Sequence, residues 1–284
     1  MFSKFAINFL KAKVMRKNFI PKEEFKSSNP SSRPEKRTFK KKNTFTHFIS
    51  LPLNTTSIKG KLNDLQNQII SLYKEDDRKL FQFNDPNLFH ITISMLTLES
   101  EEKREKAKQI LEKNKEKLLE LVNDIKFEIK FKNLGTFQYE KKLQRLEKEK
   151  KTEKRFASFK IEQEKNDVVF LSLHEDENYK KIVNISDILI REFIQERIID
   201  DQELKSMNLL YDQSEGVFKA EKHHLTLFRV KPEVDLGTLY KEMGSFEFGN
   251  AECHSIDIST RFEYDEERFY NPLHRVYFDK KKWI

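Results

Sequence analysis

The 284-residue chain is 37% hydrophobic and 36% charged, with a net charge of +7 and one cysteine, Cys253. That length suffices for one large domain or two small lobes with a full core. The lone cysteine excludes a disulfide framework and a cysteine-cluster zinc site and suits a reducing compartment, and with no long apolar run no membrane span is expected.

Residues 1–42 carry 13 Lys/Arg against 3 Asp/Glu, a net of +10, which leaves −3 for the remainder. Up to Pro21 the segment is basic, free of acids and loosely amphipathic through Phe2, Phe5, Phe9, Leu10 and Met15, the character of a mitochondrial presequence. From Lys26 to Lys42 it turns to Ser, Pro and Lys, as a disordered linker does. Arg33, Lys36, Arg37 and Lys40 to Lys42 equally suit a nuclear signal, and a solvated basic tail is the third reading. Residues 1–42 are thus expected to be a disordered basic leader and 43–284 the folded domain. The protein is expected to be intracellular, either mitochondrial or else nuclear or cytoplasmic, with no membrane association and no obligate protein partner evident.

Phe45 to Leu51 reads as a strand ended by Pro52. Ile58, Leu62, Leu65, Ile69 and Leu72 fall at helical spacing over Thr55–Tyr73. Asn84-Asp85-Pro86-Asn87 marks a turn, and a strand carrying His90 follows. Glu101 to Ile125 is predicted as one helix with Ile110, Leu111, Leu118 and Val122 on one face. Phe127–Phe131 reads as a strand and Leu134-Gly135-Thr136-Phe137 as a turn. Glu140 to Arg155 is almost all charge, a solvated insertion. Phe156–Ile161 and Val168–Leu173 are predicted to pair as a hairpin. A helix over Tyr179–Ile199, a strand carrying His224, a short helix over Leu236–Met243 and closing strands over His254–Ser259 and Arg275–Phe278 complete the chain.

Two of these strands repeat one chemistry. Phe89-His90-Ile91-Thr92-Ile93 and His223-His224-Leu225-Thr226-Leu227 each set a His and a Thr two residues apart between apolar neighbours, 134 positions apart in sequence. Strand side chains alternate faces, so His90 and Thr92 point together, as do His224 and Thr226, while His223 points away. With unperturbed pKa values near 6.5, one imidazole can be neutral while another is protonated, so a pair can serve as base and acid on a phosphodiester. A Thr hydroxyl on the same face can donate to a phosphate oxygen. The other histidines have no Thr two residues later. No His-Glu-x-x-His, Gly-rich phosphate loop, EF-hand or Gly-x-Ser-x-Gly pattern is present. Neither a cofactor nor a metal is expected.

At these residues the chain resembles the two-histidine (2H) phosphoesterases, in the branch of the phosphoesterase domain of the A-kinase anchoring protein and of the activating signal cointegrator complex. Thr46-His47-Phe48-Ile49-Ser50-Leu51-Pro52 resembles that branch's opening strand, Phe89-His90-Ile91-Thr92 its first catalytic motif and Leu134-Gly135-Thr136-Phe137 its central turn. His224-Leu225-Thr226 resembles its second catalytic motif and Ile256-Asp257-Ile258 the strand that follows. The likeness spans about residues 44–280. It departs at His223, where the family often has Pro, and in the long charged loop between Phe137 and Phe156.

The resemblance implies an α+β fold of two pseudo-symmetric lobes, each an antiparallel sheet backed by helices, with a central active-site cleft. It implies a metal-independent phosphodiesterase acting on RNA or oligonucleotide bonds, 2′,5′-linked oligoadenylate being a known substrate class of the branch. Carried over by position, His90 and His224 are the general acid and base, and Thr92 and Thr226 the phosphate donors. Phe137 is placed either to stack on a base or to pack in the core. The alternative reading is a non-catalytic RNA-binding, scaffold or anchoring protein that keeps the fold.

Overall fold

The computed structural model describes residues 45–53, 56–123, 127–137, 167–207, 209–220, 222–234, 236–243, 246 and 248–278. The basic leader, the charged stretch Glu140–Arg155 and the strand expected at Phe156–Ile161 lie outside them.

The described elements run β1 (His47–Pro52), α1 (Thr56–Leu72), α2 (Glu75–Arg78), β2 (Phe81–Phe83) and β3 (His90–Leu96), then α3 (Glu101–Lys113), α4 (Lys115–Val122), β4 (Phe127–Thr136) and β5 (Asp167–Leu173). They continue with α5 (Glu177–Gln195), α6 (Asp201–Ser206), β6 (Leu209–Asp212), β7 (Val217–Ala220), β8 (His224–Val230), α7 (Leu236–Met243), β9 (Asn250–Cys253), β10 (Ser255–Tyr264) and β11 (Tyr270–Tyr277).

The fold is α+β, as expected. The main sheet has the order β11-β10-β1-β3-β8-β5-β4-β9, with β2 on a free stretch of β8 and every pair antiparallel. Its two halves meet at one register pair, Ile91 with Leu225. Each half therefore has a His-x-Thr strand innermost: β3 backed by β1 and β10, β8 backed by β5 and β4. One face is apolar. Ile49, Leu51, Ile91, Ile93, Leu171, Leu225, Leu227, Ile256 and Ile258 are buried in the main core cluster, where α3 packs on β11 and α5 on β3 and β4. Burying each such side chain contributes about 1.5–3 kcal/mol.

Local chemistry sets the helix ends. The Asp176 carboxylate accepts from the amides of Asn178 and Tyr179 at the start of α5, and Asp200 with Glu203 forms a capping box on α6, caps worth about 1 kcal/mol each. On α5, Ile182, Ile185, Leu189 and Phe193 form a buried face at helical spacing.

Three expectations are corrected. The helix expected over Glu101–Ile125 breaks at Asn114, whose side-chain amide donates to the Ile110 carbonyl at 2.8 Å and competes with the helix ladder. Leu134-Gly135-Thr136 is not a turn. It finishes β4, paired with Leu171, Phe170 and Val169 after a bulge. β5 is flanked by β4 and β8, and the strand Phe156–Ile161 expected to pair with it lies outside the described residues. The closing strands are longer than expected, and β2, β9 and the β6–β7 hairpin are additional.

Candidate active site

The register Ile91 to Leu225 fixes the geometry of the paired motifs. Extended by one residue each way, it sets His90 opposite Thr226 and Thr92 opposite His224. All four then lie on the face away from Ile91 and Leu225, and directly opposed antiparallel residues have Cβ atoms about 4.5–5.5 Å apart. The exposure pattern agrees: His90, Thr92, His224 and Thr226 are half-buried while Ile91, Ile93, Leu225 and Leu227 are buried. The four residues singled out by sequence are thus brought together, and His223 is turned away into the core, where its Nε2 lies 3.0 Å from the Ser186 hydroxyl.

Both imidazoles are held the same way. His90 Nδ1 lies 2.7 Å from the Leu88 carbonyl and His224 Nδ1 2.9 Å from the Lys222 carbonyl, each two residues back. A carbonyl only accepts, so each Nδ1 carries the hydrogen and Nε2 is the nitrogen that gains or gives up a proton. Each ring also sits between two aromatic side chains. His90 is 5.0 Å from Phe48 and 5.3 Å, edge-on, from Tyr270. His224 is 4.9 Å from Phe170 and 5.2 Å, edge-on, from Phe137. Phe137 is therefore a wall of the imidazole pocket.

These walls have an electrostatic consequence. Burial pushes the His90 pKa down from 6.5 to about 4; the Leu88 carbonyl partly opposes this and the charge of His224 adds to it. His90 is accordingly neutral at pH 7, with the Nε2 lone pair unprotonated.

Behind β3 the same face carries hydroxyls and one ion pair. Ser50 pairs with Thr92 on one side and with Asp257 on the other. The Asp257 carboxylate accepts from Ser255 at 2.9 Å and from the Arg275 guanidinium at 2.7–3.0 Å. Ser50 Oγ and Ser259 Oγ are buried with no hydrogen-bond partner among the described residues.

Sequence reasoning missed Arg229. Strand parity assigns it to the face of Leu225, but the extra residue Leu227 between the paired positions Thr226 and Phe228 shifts the alternation, so exposed Arg229 shares the face of His224 and Thr226. It stands close enough to Tyr270 to lower the phenol's pKa, against the larger upward effects of burial and Tyr264. The cue in the sequence is His-x-Thr-x-x-Arg, unreadable without the bulge. The remaining shifted or paired histidines lie elsewhere: His47 beside the Thr46 hydroxyl at 2.8 Å, His254 beside Glu252 at 3.6 Å, and His274 beside Glu112 at 3.0 Å. Among the described residues no three His, Cys, Asp or Glu side chains gather as a metal-ligand set.

A two-part antiparallel sheet with a His-x-Thr strand at the inner edge of each part, the two strands adjoining, defines the two-histidine phosphoesterase class. The chain belongs to the family of the AKAP7 2′5′ RNA ligase-like domain, whose model matches residues 45–278. It is 34% identical over 91 residues to the mouse activating signal cointegrator 1 complex subunit 1, a match spanning 31% of this chain and 24% of that protein. Two solved structures align with this chain at 13% identity. The Thermus thermophilus protein TT0787 aligns over 82% of this chain and 98% of its own, with a TM-score of 0.45. Escherichia coli LigT complexed with 3′-AMP aligns over 82% and 96%, with a TM-score of 0.40. No helix among the described residues is long and apolar enough to cross a membrane.

Proposed function

We propose that this protein is a phosphodiesterase of RNA-type bonds, with 2′,5′-linked oligoadenylate as its preferred substrate class, and that His90 and His224 carry out its proton transfers. The observation that supports this most directly is the doubled imidazole: two rings on one face, each with Nδ1 tied to the carbonyl two residues back and Nε2 left as the working nitrogen.

His90, neutral through burial, accepts the proton of the attacking oxygen. This is the neighbouring sugar hydroxyl in transesterification or a water in hydrolysis. A P–O bond forms to that oxygen as the bond to the leaving 5′ oxygen breaks. His224, protonated in the complex because a phosphate anion beside it favours the charged form, gives its Nε2 proton to the leaving oxygen. Thr92 and Thr226 donate hydrogen bonds to the non-bridging oxygens, where charge grows in the transition state. Arg229 adds positive charge on the same face.

The test is incubation of the purified protein, with a chelator present, with matched 2′,5′- and 3′,5′-linked oligoadenylates, alongside His90→Ala. Cleavage of the 2′,5′ substrate that disappears in the variant is expected. Failure of the wild-type protein to cleave either substrate, or undiminished cleavage by the variant, would overturn the proposal.

A further inference from the structure

The two halves match at the histidines and diverge outward from them. From His90 a line of rings continues along the β10–β11 ribbon. Tyr270 stands 5.3 Å from the imidazole, and Tyr264, its cross-strand partner, 5.5 Å from Tyr270 at a 36° tilt. These spacings lie within the range of stacked aromatic pairs. Tyr264 is 54% exposed and Phe262 69% exposed. Among the described residues, Leu72 is the one other large hydrophobic side chain so exposed. The Arg261 guanidinium lies over the Phe262 ring, 4.5 Å from its centre. Phe262 has φ of +69°, a conformation disfavoured for a bulky residue, which the surrounding structure must enforce.

The ribbon is anchored. The Asp265 amide bonds the Phe269 carbonyl at 2.8 Å, and the Asp265 carboxylate accepts from the Phe269 amide at 2.9 Å. Phe269 itself is buried. Arg268 reaches Asp85, in the turn that leads into β3, at 2.9 Å. The exposed rings are therefore held in register with His90.

We propose that the ribbon is a nucleobase platform, which deepens and rests on the phosphodiesterase reading above: bases of a single-stranded RNA on the His90 side of the scissile phosphate stack on Tyr264 and Phe262, with Arg261 beside the intervening phosphate. Three features favour an oligonucleotide over another occupant. The line of rings begins at the proposed reacting group, so its occupant is covalently continuous with the phosphate being attacked. Cations accompany the rings, Arg261 over Phe262 and Arg229 near Tyr270. Base stacking on exposed aromatics tolerates any base and is worth about tenfold or more in affinity per ring. A strand of three or more nucleotides is accordingly bound more tightly than a dinucleotide or a small cyclic phosphate.

The experiment measures fluorescence anisotropy of labelled two- and five-residue oligoadenylates, in both linkages. The full chain carries His224→Ala, which slows turnover by about 10²–10⁴ and leaves the His90–Tyr270 contact in place. The pentamer is expected to bind about tenfold more tightly than the dimer. The Phe262→Ala/Tyr264→Ala double variant should erase that advantage, and Tyr264→Trp should keep it. In the otherwise wild-type chain the double variant should raise KM for the pentamer about tenfold with kcat and dimer cleavage little changed. Equal binding of dimer and pentamer, or a pentamer affinity indifferent to the two rings, would overturn the platform. Dimer cleavage would then still leave the phosphodiesterase reading standing. Absence of binding and cleavage for every oligonucleotide would overturn both.

Discussion

The two ends of the site are built alike where chemistry demands it and differently where it does not. His90 and His224 share the carbonyl tie at Nδ1, one tilted and one edge-on aromatic neighbour, and a hydroxyl two residues on. Their supports differ. The residue before His90 is Phe89, and the residue before His224 is His223, both 1% exposed on the opposite face. The edge-on ring is the phenol of Tyr270 on one side and Phe137 on the other. The lesson is that ring orientation is shared by both motifs, while the groups around each ring set its proton affinity and its ligand contacts separately.

The largest effects test the shared part. His90→Ala and His224→Ala should each lower kcat/KM by about 10²–10⁴, since each removes one proton transfer, with the thermal transition near that of the wild-type chain because both side chains are half-buried. Turnover that survives in one variant and not the other would break the equivalence and leave a single essential histidine. Thr92→Ala and Thr226→Ala each remove one charge-assisted hydrogen bond and should cost on the order of ten- to a hundredfold in kcat/KM. A Thr92→Ser variant that recovers most of the rate would tie the loss to the hydroxyl.

Much of this was legible in the sequence, and the reason is locality. The existence of α5, the α7 boundaries and the parity of the two His-x-Thr strands depend on residues within a turn or two of each other. The illegible parts depend on distant partners. Leu134-Gly135-Thr136 has turn composition, yet β5 supplies hydrogen bonds that hold it extended. β2 is three residues long and exists through its pairing with β8. Phe48 and Tyr270 reach His90 from β1 and β11, and no periodicity links positions so far apart. Arg229 was hidden by one bulged residue.

The pH profile sharpens the comparison next. Burial sets the acid limb of the kcat/KM profile. His90 in the free protein loses its proton at about 4 rather than 6.5, so kcat/KM should hold as pH falls through 6 and decline only near the lower value. Tyr270→Ala removes one wall of the His90 pocket, and rehydration of the imidazole should move that limb upward toward 6.5. Phe137→Ala, on the other ring, should leave it in place. An acid limb equally displaced by both variants would mean that the two pockets are not electrically distinct.

The smallest effect concerns the pair Phe89 and His223, and it is read in stability rather than rate. His223 is buried beside Ser186 and the Tyr179 ring, its Nδ1 lacks a partner among the described residues, and burial followed by the charges of His224 and Lys219 lowers its pKa from 6.5 to about 4. An unfolded chain takes up a proton at this position near 6.5 while the folded chain resists it to about 4. Its contribution is therefore complete above pH 6.5 and is lost as pH falls through that window. His90 adds to the same slope. His223→Phe alone copies the first motif but strands the buried Ser186 hydroxyl, at a cost of about 1–3 kcal/mol. The double variant His223→Phe/Ser186→Ala removes both partners and should unfold near the wild-type temperature at pH 7. Between pH 6.5 and 4.5 it should lose less stability than the wild-type chain, because one of the three resisting imidazoles, His47 and His90 being the others, is gone. A thermal unfolding series across those pH values decides it. Parallel curves for the two proteins would place the acid sensitivity elsewhere, and His223 would then be a packing residue whose charge state the fold does not feel.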